Sequence, residues 1–181
     1  MITIKSLLRA WLPLIFISTL LSGLIYLTVQ QDLRQGANDP QIQIAQDSAE
    51  ILQNSKNPQD LIGQTQINLT KSLAPFIIIY DEEGKPIASQ AVLDGRNPAP
   101  PKGVFDYTKT HHEDRVTWEP KKGIRVAAVI EHFEGAHPGF VLAGRSLKEV
   151  ESRIDNLTKY VVIGWIAAVI GSLVIILLLG V

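Results

Sequence analysis

Two uncharged runs, one towards each end, constrain this chain more than any other feature. Ala10 to Val29 reads AWLPLIFISTLLSGLIYLTV, and Tyr160 to Val181 reads YVVIGWIAAVIGSLVIILLLGV. At ~1.5 Å rise per residue, either run as a helix spans roughly 30 Å, the thickness of a bilayer's hydrocarbon core. A cleaved signal peptide would have a shorter apolar stretch and an A-x-A-like cleavage site. The first run is longer, and SGLIYLTVQQ is a poor site, so it reads as an uncleaved anchor. The second run is apolar on every face, which argues against the core helix of a soluble protein.

Lys5 and Arg9 are the only charges outside the two runs and the segment between them. Basic residues beside a first membrane helix stay cytoplasmic, and long loops cross regardless of their own charge. The expected organisation is therefore a cytoplasmic N-terminus (1–9), a span (10–29), an extracytoplasmic domain (30–145), a juxtamembrane helix (146–159) and a second span (160–181). The expected location is a cell membrane, with the lipid bilayer as the first partner. Trp11, Tyr26 and Tyr160 lie near the span ends, where amphipathic rings favour headgroups. The middle segment holds all 18 acidic residues and, with Lys5 and Arg9 set aside, 15 of the 17 basic ones, a net charge of −3. That balance gives no reason to expect nucleic-acid binding, which needs a basic patch. There is no cysteine, so disulfides, thiolate metal sites and a cysteine nucleophile are excluded.

Along the middle segment, Asn38-Asp39-Pro40 reads as a helix start, with Asn or Asp capping and proline in the first turn. Ile42, Ala45, Ala49 and Leu52 then recur at helical spacing to about Asn54, and Lys56-Asn57-Pro58 ends the helix. Asp60 to Leu73 is ambiguous. Phe76 to Tyr80 is apolar on both faces and reads as a central strand. Asp81 to Lys85 turns with glycine where positive φ is needed, and Pro86 to Ala91 returns along an edge. Leu93 to Gly103 reads as a loop, Val104 to Asp114 as weakly helical, and Arg115 to Glu119, Ile124 to Phe133 and Phe140 to Gly144 as strands. Five strands joined mostly by tight turns predict an α+β fold with an antiparallel sheet.

Ser146-Leu147-Lys148-Glu149 has the capping-box form. Leu147, Val150, Ile154, Leu157 and Val161 follow at a/d spacing, and the phase continues through Gly164, Ala168 and Gly171. This 147–171 seam fits equally a homodimer, a partner membrane protein or the outer domain's own first helix.

A membrane helix, an outer helix, an IIIYDEEGKPIAS hairpin, three further strands and a GRSLKEVESRIDNL helix entering a second span together resemble the extracytoplasmic sensor region of bacterial histidine kinases and chemoreceptors. The kind is PAS-like or Cache-like, and the resemblance covers nearly the whole chain. It implies a five-stranded antiparallel PAS-like sheet flanked by helices, with a small molecule sensed on the concave face. A sensor kinase would continue past the second span into kinase domains. This sequence ends at Val181, so the expectation is a stand-alone sensor working through a partner, or a decayed or divided kinase.

No G-x-S-x-G, G-x-G-x-x-G or G-x-x-x-x-G-K-[ST] occurs, and no enzyme activity or cofactor is expected. His111-His112-Glu113-Asp114 is the densest set of metal-ligand types, but neighbours in sequence cannot all face one ion, and no metal site is assigned. His132 and His137 flank the last hairpin and read as surface or hydrogen-bonded residues. Candidate ligand contacts are Tyr80, Tyr107, Trp118 and Arg125, the last able to pair with an anion. The competing reading places Tyr80 and Trp118 in the core and pairs Arg125 with Glu119 or Glu131. The expected function is signal transmission through the second span; the alternative is a non-enzymatic envelope scaffold.

Overall fold

The computed structural model describes residues 4–54, 57–63 and 65–180. Lys56, expected at a helix end, Gln64 in the ambiguous stretch, and Val181, the last residue of the expected second span, lie outside the described residues. The chain divides into two compact units: the terminal segments up to Arg34 and from Glu151 onward, and Gln35–Val150.

The terminal unit pairs α1 (Ile4–Gln35) with α5 (Lys148–Leu179). Both are long and apolar enough to cross a membrane. The helices run antiparallel within the unit: Trp11 Nε1 donates to Ser172 Oγ at 3.0 Å and to Val169 O at 3.2 Å, while Trp165 Nε1 donates to Thr19 Oγ1 at 3.0 Å. Trp11 thus ties the two helices together through its indole N–H. The less exposed stripe of α5 passes through Ile154, Leu157, Val161, Trp165, Val169, Ser172 and Ile176. Of the small-residue continuation expected at Gly164, Ala168 and Gly171, the first two are exposed and off that stripe, while Gly171 is half-buried at its edge. A straight helix of 3.6 residues per turn drifts away from a 3.5-residue repeat, so after Val161 the covered positions move one residue on.

In the middle unit, three residues separate α2 (Asp39–Gln53) from the end of α1. The expected side-chain cap at Asn38 is absent. Asn38 has helical φ/ψ (−92°, −26°) and its amide donates to Gln35 O, because the turn follows directly on the end of α1. The short α3 (Pro58–Leu61) is capped by Asn57, whose Oδ1 accepts from the Gln59 amide at 3.1 Å.

Five strands form one antiparallel sheet in the order β3-β2-β7-β6-β5: β2 (Phe76–Asp81), β3 (Pro86–Ser89), β5 (Glu113–Lys121), β6 (Ile124–Phe133) and β7 (Gly139–Ser146). The returning arm of the first hairpin stops at Ser89, two residues short of expectation. Ala91–Val92 (β4) leaves the sheet to pair in parallel with β1 (Ile67–Asn68). Helix α4 (Lys102–His111) starts two residues before and ends three residues before the expected bounds, because His112 takes φ +68° and β5 begins at Glu113.

Alternation along the strands sorts the core into two faces. On the first face lie Phe76, Ile78, Tyr80, Val126, Ala128, Ile130, Phe140 and Leu142, covered by Phe105 of α4 and by Leu69, Ala91 and Leu93. On the second, Ile79, Val141 and Phe133 meet Ala49 and Leu52 of α2, while Ala45 packs on Val129 and Ala143. Alanines on both sides of that contact let α2 lie close to the sheet. Phe105 stands 4.9 Å from Tyr80 and 5.0 Å from Phe140 by ring centroids, within the favourable range for tilted aromatic pairs. Gly84, at φ +78°, supplies the expected turn and leaves room for Phe105, which a Cβ there would meet at 2.8 Å.

Candidate functional site

Leu93-Asp94-Gly95-Arg96 forms a closed two-residue turn. Asp94 (φ +50°) and Gly95 (φ +76°) are both left-handed, and Leu93 and Arg96 exchange backbone hydrogen bonds of 2.9 and 3.0 Å. This is the type I′ geometry that Asp-Gly favours. Asn97 to Pro101 follow, with Pro98 and Pro100 buried. Across from them runs the end of β5, where the pairing with β6 slips between Trp118 and Lys121. Pro120 lies in the slip; it lacks the amide that regular pairing uses. Between these walls lies an open groove of about 700 Å³ with Trp118 in its lining.

The walls are joined by Lys121 Nζ to Asp94 Oδ2 at 2.8 Å. Glu119 Oε1 accepts from the Gly123 amide at 2.6 Å. The Pro98 carbonyl accepts from the Tyr80 hydroxyl at 2.9 Å. Tyr80 is fully buried, and burial pushes its phenol well above the ordinary tyrosine range, so it stays a neutral donor. Three polar groups lining or flooring the groove have no partner among the described residues: the Arg96 guanidinium, the Asn97 carboxamide and the Trp118 indole N–H.

The four residues singled out in the sequence are not brought together. Trp118 lines the groove and is 9% exposed. Tyr80 sits in the core on the same sheet face and meets the groove wall through its hydrogen bond to Pro98. Tyr107, on α4, is half-exposed and stacked on His111 at 3.9 Å, away from the groove lining. Arg125 lies between Ile124 and Val126, which both pack on the first face, so alternation places it on the second. Arg96 and Asn97 were missed. The Asp-Gly pair was their one signal, and it lacked the flanking alternation that marks a hairpin.

Trp118 also belongs to a cross-strand row: it pairs with Val126, and Val126 pairs with Ser146. Ser146 Oγ accepts from the Lys148 amide at 3.3 Å, at the start of α5. Glu149, expected to reach back in a capping box, lies 3.5 Å from Arg145.

The remaining titratable groups are dispersed. His111 Nδ1 contacts Tyr107 O at 3.0 Å, and Glu113 pairs with Arg115. Among the described residues no group of three or more His, Asp or Glu is placed to hold a metal ion. His132 is buried, with Nε2 3.0 Å from Glu82 Oε1, and Lys109 pairs with the same carboxylate. Lys109, then His132, hold the Glu82 carboxyl below its usual range. Glu131, opposite Glu113 across β5 and β6, is held above it, chiefly by burial and then by the Glu113 charge. No family model matches this chain, and no curated protein matches it.

Proposed function

We propose that this chain is a membrane-anchored sensor module. Its middle unit lies on the outer side of the membrane, takes a small molecule in the Trp118 groove and passes the change to α5, with no catalytic output of its own. The single observation that carries this reading is the row Trp118–Val126–Ser146, in which a groove residue and the residue that leads into α5 are cross-strand partners of the same valine. A five-stranded antiparallel sheet with helices on both faces is also what the PAS-like or Cache-like resemblance implies. Lys5 and Arg9 before the first span favour a cytoplasmic N-terminus. A ligand that prefers one arrangement of the groove walls shifts the population towards that arrangement, and a strand shift at Ser146 moves the first turn of α5.

The test needs no ligand. Lys121→Glu replaces the ion pair that joins the walls by two like charges. Amide exchange in the full chain, reconstituted in lipid nanodiscs, is expected to accelerate both at 94–101 and at 147–150. Acceleration at 94–101 alone would show the groove uncoupled from α5 and remove the sensor reading. Placement is checked in intact cells, since the chain has no cysteine of its own. A membrane-impermeant maleimide should label Lys71→Cys and not Lys5→Cys, and the reverse pattern would invert the topology.

A further inference from the structure

We infer that the groove takes a small organic monocarboxylate with a flat apolar body. This rests on the groove being the ligand site. The groove's volume of about 700 Å³ falls within the range of small-molecule pockets.

Its unused donors select the ligand's recognised group. Four charged residues line it: Asp94, Arg96, Glu119 and Lys121. Asp94 and Lys121 neutralise each other, and Glu119 is engaged by the Gly123 amide. Arg96 alone has no partner among the described residues. Glu119 keeps its charge with Oε1 held by the Gly123 amide, so Arg96 is the one charged side chain of the lining whose donors are unused among the described residues. Its planar fork fits a carboxylate through two parallel hydrogen bonds. A doubly charged phosphoryl group would bring a second charge with no free cation to meet it. The other unpaired groups, the Trp118 indole N–H and the Asn97 carboxamide, are or include donors, which suit an acceptor on the ligand. The closed Leu93–Arg96 turn fixes the backbone from which Arg96 projects.

The rest of the lining selects the body. The Trp118 ring and the pyrrolidine rings of Pro98, Pro101 and Pro120 are rigid apolar surfaces that lose little conformational entropy when covered. Such walls favour a planar ring over a flexible polar chain.

The experiment uses the full chain in lipid nanodiscs, labelled with 5-fluorotryptophan and followed by fluorine NMR. The Trp118 resonance is assigned by its loss in Trp118→Phe. The probes are benzoate, its neutral amide benzamide, and the cation benzylamine. Benzoate is expected to shift the Trp118 resonance saturably, with benzamide about tenfold weaker, as the loss of a charge-assisted hydrogen bond implies. In Arg96→Gln, an exposed position that leaves the core intact, benzoate should fall to the affinity of benzamide. Equal binding of benzoate and benzamide, indifferent to Arg96→Gln, would overturn the carboxylate class and leave the groove as a ligand site. Tighter binding of benzylamine would do the same. No movement of the Trp118 resonance with any of the three probes at millimolar concentration would overturn both.

Discussion

Trp118 and Ser146 share one neighbour: Val126 is the cross-strand partner of each, on opposite sides of β6. Val126 is fully buried, and its Cγ1 stands 3.1 Å from where a Cβ on Gly144 would be. The row is therefore packed with no slack at its centre. Interiors at crystal-like density pass displacement on, because their side chains have nowhere to yield.

That packing makes Gly144 a sensitive position. Its added Cβ would lie 2.6 Å from Phe76 Cζ and 3.1 Å from Val126. Gly144→Ala is expected to destabilise the middle unit by about 1–3 kcal/mol, the usual cost of overpacking a core. Gly164→Ala, whose Cβ meets nothing within 4 Å, is the control and should leave that unit's urea midpoint unchanged. Equal midpoints for Gly144→Ala and the parent would contradict the tight row.

Tyr80 acts on the groove from one step behind it. Its hydroxyl is the donor to Pro98 O. Tyr80→Phe keeps the ring and leaves the carbonyl without that donor, at a cost of about 1–2 kcal/mol. Amide exchange should accelerate at 96–99 and stay unchanged in β6. Uniform acceleration across the sheet would mean that the hydroxyl supports the core in general rather than the groove wall.

Glu131 sets a pH dependence of definite sign. Burial, then the Glu113 charge, raise its carboxyl in the folded chain. The folded state thus holds the proton more tightly than the unfolded one. Stability falls as pH rises from the ordinary carboxylate range to the raised folded value, and is recovered below both. Glu131→Gln should flatten the stability curve in that window. An unchanged slope in urea titrations across it would refute the assignment. Glu82 contributes the opposite slope: its lowered carboxyl stabilises above the ordinary range and loses that contribution as pH falls.

In the terminal unit, Trp11 and Ser172 should be coupled. A double-mutant cycle with Trp11→Phe and Ser172→Ala is expected to give an interaction of about 0.5–1.5 kcal/mol, typical of hydrogen bonds between membrane helices. Additive effects in a detergent unfolding assay would show the contact to be energetically silent.

Much of the sheet was readable in the chain. The run at Phe76–Tyr80 is apolar on both faces because β2 is interior and covered on both sides. Gly84 marked its turn through positive φ. Three things were not readable. The β1–β4 ribbon has two residues per strand, too few for any periodicity. Arg125 precedes an apolar run buried on both faces, so alternation could not say which face it joins until the register was known. The Glu82–His132 contact joins residues 50 apart in sequence and leaves no local trace. At the groove, aromatic residues drew attention, while the polar groups left unpaired sit on a turn that composition alone presents as a loop.

The strand order has a temporal side. β7 lies between β2 and β6, yet it is the last strand to be translated. Until Gly139–Ser146 emerges, the chain holds two hairpins with no strand to bridge them. α5 begins two residues after Ser146, so the sheet closes only as this apolar segment follows it out of the ribosome. Nascent chains arrested before Gly139 should remain protease-sensitive throughout, and resistance should appear in one step once β7 has cleared the tunnel. A mutation that slows sheet closure would then surface as faulty biogenesis, in a protein whose finished form shows no defect.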